Sequence, residues 1–194
     1  FYTKNNRYRE VMNKFLLPTL KKWDLKYYIE AIESLGNWNK NTSFKANFIL
    51  EMLEKWKQDI IWIDADATIE QYPNLLYNIP PDKDIAVFYL DWYLHWKKKP
   101  NRNKRELISA TMMFRYNPKV IKFVKQWIKQ CEENPYIWEQ KVLQEMLKTD
   151  NTLNVYELPP EYCSIILYNG KVPRYIEKPV IIQHQASRKY KHET

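Results

Sequence analysis

Glycine is almost missing. Among 194 residues there are only Gly36 and Gly170, and that scarcity excludes nearly every phosphate-binding motif built on a glycine-rich loop, the Walker and dinucleotide fingerprints included. Cysteine is as scarce. Cys131 and Cys163 cannot make a disulfide framework, and neither belongs to a CxxC pair. No apolar run nears the roughly 18 residues of a membrane span. The opening residues, Phe-Tyr-Thr-Lys-Asn-Asn-Arg, have neither the apolar core nor the small-residue cleavage site of a signal peptide. These absences together lead to the expectation of a reducing, cytoplasmic setting. Position 1 is not Met, so the first strand is expected to be truncated at its N-terminal end.

What is present is a globular composition, 45% hydrophobic and 28% charged, long enough for one good core and read as a single domain over 1–194. The net charge of +8 suggests acidic partners such as nucleotides, nucleic acid or anionic surfaces. A lysine-rich solvated surface is the plainer reading of the same number.

The most informative stretch is Asp59 to Gln71, Asp-Ile-Ile-Trp-Ile-Asp-Ala-Asp-Ala-Thr-Ile-Glu-Gln. Ile60 to Ile63 is too short for a helix and rich in β-branched residues, the pattern of a strand buried on both faces in the middle of a parallel sheet. Asp64 ends it and Asp66 follows. Ligands of open α/β sheets bind at the carboxyl ends of the strands, and two carboxylates there suit an oxygen-preferring cation, Mn2+ or Mg2+. A strand-ending turn is the bland alternative.

Around this stretch the periodicity predicts a strand end at Phe1–Thr3, a helix from Tyr8 to Trp23 with Pro18 to bend or end it, and a strand from Tyr27 to Ile32. A polar loop to Thr42 and a helix from Phe44 to Trp56 capped by Thr42 or Ser43 come next. This β-α-β-α-β order implies parallel strands with right-handed crossovers. Beyond it come a short helix within Ile69–Ile79, strands at Ile85–Leu90 and Ile108–Phe114, and helices from Pro118 to Glu133 and from Ile137 to Lys148. Late strands are expected at Val155–Leu158, Cys163–Tyr168 and Val180–Gln183. The run Lys97 to Arg105 is strongly basic and follows Trp92, Tyr93 and Trp96, a mixture suited to nucleic-acid phosphates and stacked bases.

Asp64-Ala65-Asp66-Ala67-Thr68 fits two enzyme classes: the DxD motif of nucleotide-sugar glycosyltransferases and the DxDxT signature of haloacid-dehalogenase-like phosphatases. Context separates them. The phosphatase motif lies on a first strand and needs a later acidic pair, whereas here two βα units precede it and the late strands end in Leu158-Pro159 and Gln183-His184. A non-catalytic basic binding module is the remaining alternative. His184 ends a strand whose carboxyl end points to the edge that carries the Asp pair, and a neutral imidazole is a sound partner for manganese.

The chain resembles the nucleotide-diphospho-sugar transferases of the GT-A superfamily over nearly its whole length. The matching pieces are Phe1-Tyr2-Thr3, Gly36-Asn37-Trp38 with Asn41-Thr42 and Lys45, and Ile60 to Ala67. Later come Ser109 to Phe114, Glu139-Gln140 with Leu143, Leu158 to Cys163, and Ile182 to Arg188. The resemblance implies a Rossmann-like GT-A α/β fold, with a mostly parallel central sheet flanked by helices. It implies a metal-dependent transfer of a sugar from a nucleotide-diphosphate donor, UDP in the first instance, to an acceptor hydroxyl. Asp64, Asp66 and His184 would hold the metal. Tyr2, Thr3, Lys45, Asp64, Ala65, Ser109, Ala110, Thr111 and Arg188 would bind the donor. Glu139 and Gln140, standing where the family usually has Asp-Gln, are the catalytic candidates. Trp92, Trp96, Lys98 and Arg102 are the acceptor candidates, with a modified DNA base as one acceptor and a glycan or protein as the other.

Overall fold

The computed structural model describes residues 1–4, 7–96 and 105–190. Strand β1 (Tyr2–Thr3) precedes helices α1 (Tyr8–Lys14) and α2 (Leu16–Lys22), which break at Phe15 where one helix was expected. Pro18 explains the break, because its ring would clash with the carbonyl of Lys14. In the first turn of α2 its missing N–H costs nothing. Strand β2 (Ala31–Ile32) is shorter than the alternation suggests, and β1 pairs with it in parallel. Helix α3 (Trp38–Trp56) begins well before Phe44. Its cap is Asn37, whose side chain accepts from the Lys40 amide at 2.9 Å, and not Thr42 or Ser43.

Strand β3 (Ile60–Ile63) stands where it was expected. Short β4 (Ala67–Ile69) and α4 (Asn74–Tyr77) follow, then β5 (Ile85–Asp91), α5 (Trp92–Trp96) and β6 (Arg105–Phe114). Helix α6 (Pro118–Glu133) opens on the Asn117 cap, whose side chain accepts from Val120 N at 2.9 Å, with Pro118 in the first turn. Helix α7 (Glu139–Thr149), β7 (Val155–Glu157), a 3-10 turn (Pro160–Cys163), β8 (Ser164–Ile165), β9 (Ile181–Gln183) and α8 (Ser187–Tyr190) complete the order.

The sheets are mixed, which corrects the expectation of a mostly parallel one. The four-stranded sheet runs β3-β6-β5-β7, with β6 antiparallel to both β3 and β5 and with β7 parallel to β5. Strand β3 therefore closes one side of this sheet and is not flanked by parallel neighbours. Strand β9 pairs antiparallel with β4 and parallel with β8. The reason lies in the connections. A parallel return needs about a dozen residues or more of crossover, which α6 and α7 supply before β7. Strands β5 and β6 instead pair from the ends nearest their connection, Asp91 opposite Arg105, so the chain folds back on itself there and β6 runs antiparallel.

Two apolar layers cover the four-stranded sheet. Ile85, Val87, Leu107, Met112 and Phe114 face α3, α6 and α7 through Ile49, Leu53, Val124, Trp127 and Leu143. Ala86, Phe88, Leu90 and Met113 face Leu16, Ile69, Leu158, Ile165 and Ile181. The alternation along β5 puts successive residues into opposite layers. Each fully buried Ile, Leu or Phe contributes roughly 1.5–3 kcal/mol by leaving water. Among the described residues no helix is long and apolar enough to cross a membrane.

This arrangement fixes one edge. Asp64 follows the last residue of β3 and donates its amide to Ala110 O on β6 at 2.9 Å. The carboxyl ends of β3 and β5 and the N-terminal half of β6 thus share that edge. Strand β9 brings its own end there, since Gln183 pairs with Ala67 and His184 N donates to Asp66 O at 3.1 Å.

Candidate active site

A cleft of about 480 Å³ opens at this edge. Of the residues singled out in the sequence, Tyr2, Thr3, Lys45, Asp64, Ala65, Asp66, Trp92, Trp96, Ser109, Ala110, Glu139, Gln140 and Arg188 all line it. They come from β1, α3, the β3–β4 turn, α5, β6, the start of α7 and α8, so only the folded chain assembles them.

Lys45 is the centre of the inner wall. It projects from α3 beneath the end of β3 and is 5% exposed. Its ammonium lies 3.2 Å from Asp64 Oδ1 and 3.0 Å from Glu139 Oε1. It also donates to Ser109 O at 3.1 Å and to Ser109 Oγ at 3.0 Å. Burial opposes the lysine charge, but the Asp64 and Glu139 carboxylates outweigh it and hold the pKa above its ordinary value. The site therefore contains a permanent buried cation. Trp62 Nε1 donates to the same Asp64 oxygen at 2.7 Å.

Glu139 is 3% exposed. Besides Lys45 it accepts from Ser109 Oγ at 2.9 Å, and its backbone carbonyl accepts from Trp127 Nε1 at 3.1 Å, anchoring the first turn of α7. Its carboxylate is committed to the lysine. Gln140, one residue on, uses both ends of its amide: Oε1 accepts from Ser109 N at 3.1 Å and Nε2 donates to Glu106 Oε1 at 3.2 Å.

Asp66 is half-buried, and its Oδ2 accepts from Ala186 N at 2.6 Å. Burial first, and the charge of Asp64 second, push its pKa up to about 6. Two carboxylates on one turn, with one lysine reaching only the first of them, form a donor set that fits a divalent, oxygen-preferring cation. His184 is not grouped with them. Its Nε2 is 3.0 Å from Thr68 Oγ1, its ring stacks on Phe15 at 4.2 Å, and burial lowers its pKa so that the imidazole is neutral at pH 7. Among the described residues no three His, Cys, Asp or Glu side chains form a ready-made metal cluster. Thr111, expected beside the sugar, is fully buried behind the wall and accepts from Gln183 Nε2 at 2.9 Å. Lys98 and Arg102 lie outside the described residues. Arg105, at the end of the same basic run, pairs with Glu157.

Glu106, Trp138 and Tyr168 are among the cleft residues that the sequence did not single out. Glu106 was lost between the basic run and a strand expected to start at Ile108. Trp138 sits just ahead of α7, and Tyr168 lies in the loop after β8. An alternation count carried back through Leu107 would have placed Glu106 on the face of Ile108 and Ala110.

A model of the nucleotide-diphospho-sugar transferase family matches residues 34–192. The sequence matches no curated protein. The fold is similar to a glycosyltransferase involved in the glycosylation of the major capsid of PBCV-1, at 14% identity and a TM-score of 0.71, covering 99% of this chain and 96% of that one. It is also similar to the glycosyltransferase GlyE of Streptococcus pneumoniae TIGR4, at 11% identity and a TM-score of 0.52, covering 89% of this chain and 44% of that one.

Proposed function

This chain belongs to the nucleotide-diphospho-sugar transferase family, and on that premise we propose that its cleft seats the diphosphate of a UDP-sugar with a divalent cation, Mn2+ or Mg2+, for transfer of the sugar to an acceptor hydroxyl. The observation that carries this reading is the turn Asp64–Asp66, where two carboxylates face the cleft and Lys45 neutralises only one. Asp64 and Asp66 would hold the cation. His184 is tied backbone to backbone to Asp66 and would join them on giving up the Thr68 hydroxyl. A bound cation supplies Lewis-acid stabilisation of the charge that develops on the departing diphosphate.

The chain's own groups do the rest. Lys45 holds the Asp64 carboxylate in place, and through Ser109 it fixes the wall beside the sugar. Arg188 brings a second cation to the outer rim. Glu139 locks Lys45 in place, and Gln140 orients Glu106. The apolar body of the cleft, with Trp62, Ile108 and Ile165, excludes water and strengthens each electrostatic contact.

The test is a thermal-shift screen of nucleotide sugars with and without Mn2+, followed by donor hydrolysis in the best hit. Ligand binding raises the melting temperature by mass action. A UDP-sugar shift that needs Mn2+, with hydrolysis lost in Asp66→Ala, is the expected result. A shift of equal size in EDTA, or in Asp66→Ala, overturns the metal seat.

A further inference from the structure

The cleft does not end at the diphosphate seat, and its far end has a different chemistry. Hydrogen bonds lead from Asp64 through Lys45, Ser109 and Gln140 to Glu106. Both oxygens of Glu106 are held by neutral donors, Oε1 by Gln140 Nε2 at 3.2 Å and Oε2 by Trp92 Nε1 at 2.7 Å. Among the described residues no cation pairs with it. Neutral donors fix this half-buried carboxylate in place and leave its remaining lone pairs for a ligand.

Beside it stands an aromatic shelf. Trp96 and Tyr168 meet at 4.9 Å between ring centroids, and Tyr168 is 83% exposed although it lines the cleft. Arg188 braces this pair from one side, 4.7 Å over Tyr168 and 5.8 Å over Trp96, and donates to Ile166 O at 3.2 Å. Buried His95 packs edge-on against Trp96 at 4.4 Å between ring centroids, with its Nδ1 3.1 Å from the Tyr175 hydroxyl. The shelf is therefore held in place before any ligand arrives.

Resting on the donor reading above, we propose that this end is the acceptor site and that it takes a neutral saccharide. Hydroxyls on the rim of a sugar ring donate to the Glu106 carboxylate, while the apolar C–H face lies on Trp96 and Tyr168. A phosphodiester chain would stack on the same rings but bring its negative charge against Glu106, a repulsion that selects against it. The site favours a hydroxyl-rich ligand, because a ligand without donors takes water from the carboxylate and leaves its remaining lone pairs unfilled.

The experiment is saturation-transfer NMR on the full chain without any donor, using a panel of methyl glycosides with a short DNA duplex in parallel. Wild type is expected to transfer saturation to at least one methyl glycoside and not to the duplex. Glu106→Gln and Trp96→Ala are each expected to weaken that glycoside's Kd by about tenfold or more. Binding of the duplex alone, or a glycoside Kd unmoved by both substitutions, overturns the proposal. The donor reading is judged separately, by wild-type hydrolysis of the nucleotide sugar. A chain that binds glycosides but hydrolyses no donor would remove that reading and with it the name of acceptor for this site.

Discussion

Asp84 and Asp66 are carboxylates set at strand ends, and they differ in everything that touches them. Asp84 precedes β5 and is buried, and it accepts from Asn154 N at 2.9 Å, Asn117 Nδ2 at 2.9 Å and Lys119 Nζ at 2.7 Å. Burial works against its charge, yet these donors prevail and hold its pKa below the ordinary carboxylate value. Asp66 faces the cleft with the Ala186 amide on one oxygen, and burial together with Asp64 pushes its pKa up to about 6. The first carboxylate ties β5 to the N-terminus of α6 and to the residue before β7. The second is left short of positive charge, because Lys45 is spent on Asp64 and Glu139. Charges that hold this fold together are saturated by the fold's own donors. The charge proposed for a cation, at Asp66, stands in a wall that does not saturate it.

The contrast can be broken most forcefully at Asp66. Asp66→Ala is expected to lower Mn2+-dependent transfer or donor hydrolysis by at least about a hundredfold, since a catalytic metal contributes several kcal/mol. Its melting temperature should stay level or rise, because repulsion with Asp64 is removed. Asp84→Ala is expected to do the reverse: a loss of about 2–3 kcal/mol in urea unfolding, from donors left buried and unpaired, with the Mn2+-dependent thermal shift kept in the folded fraction.

The pH responses sharpen the comparison, and they run in opposite directions. Asp84 has a depressed pKa, so its stabilisation is present above the ordinary carboxylate range and is lost as pH falls through its folded value. Asp66 has a raised pKa, so the folded chain keeps that proton up to about 6. The cost of its charge sets in as pH rises through that window. In EDTA, Asp66→Asn should therefore gain on wild type as pH climbs from the ordinary carboxylate value to about 6 and hold that gain at higher pH, and urea titrations at a series of pH values would show it. No gain would mean that Asp66 is already satisfied. The smallest expected effect is at His184, where replacement by Ala should weaken Mn2+ binding by about tenfold while leaving the cooperative unfolding transition in place. An unchanged affinity would confine His184 to its contacts with Thr68 and Phe15.

How much of this was legible in the sequence depends on whether the signal was local. Strand β3, strand β5 and helix α6 were legible because each is written in its own residues: Ile60–Ile63 and Ile85–Leu90 as β-branched or apolar runs, and Asn117-Pro118 as a helix start. Strand direction was not. Whether β6 runs with or against β3 depends on the length of the connection and on pairing, neither of which is a property of Ile108–Phe114. The early start of α3 was missed because its first turn, Trp38-Asn39-Lys40-Asn41, is polar apart from Trp38 and reads as loop. In the site, the Asp pair and Lys45 were found by pattern and by family resemblance. Glu139 was found too, but its commitment to Lys45 is a contact across nearly a hundred residues of chain that no spacing encodes. Glu106 was missed outright, because a basic run hid the start of its strand.

The direct test of the central contrast is isothermal titration of Mn2+ into the chain at saturating UDP, in wild type and in Asp66→Asn. If the Asp64–Asp66 turn is the cation seat, wild type gives one saturable binding event and Asp66→Asn abolishes it. Equal Mn2+ binding in the two proteins would contradict it.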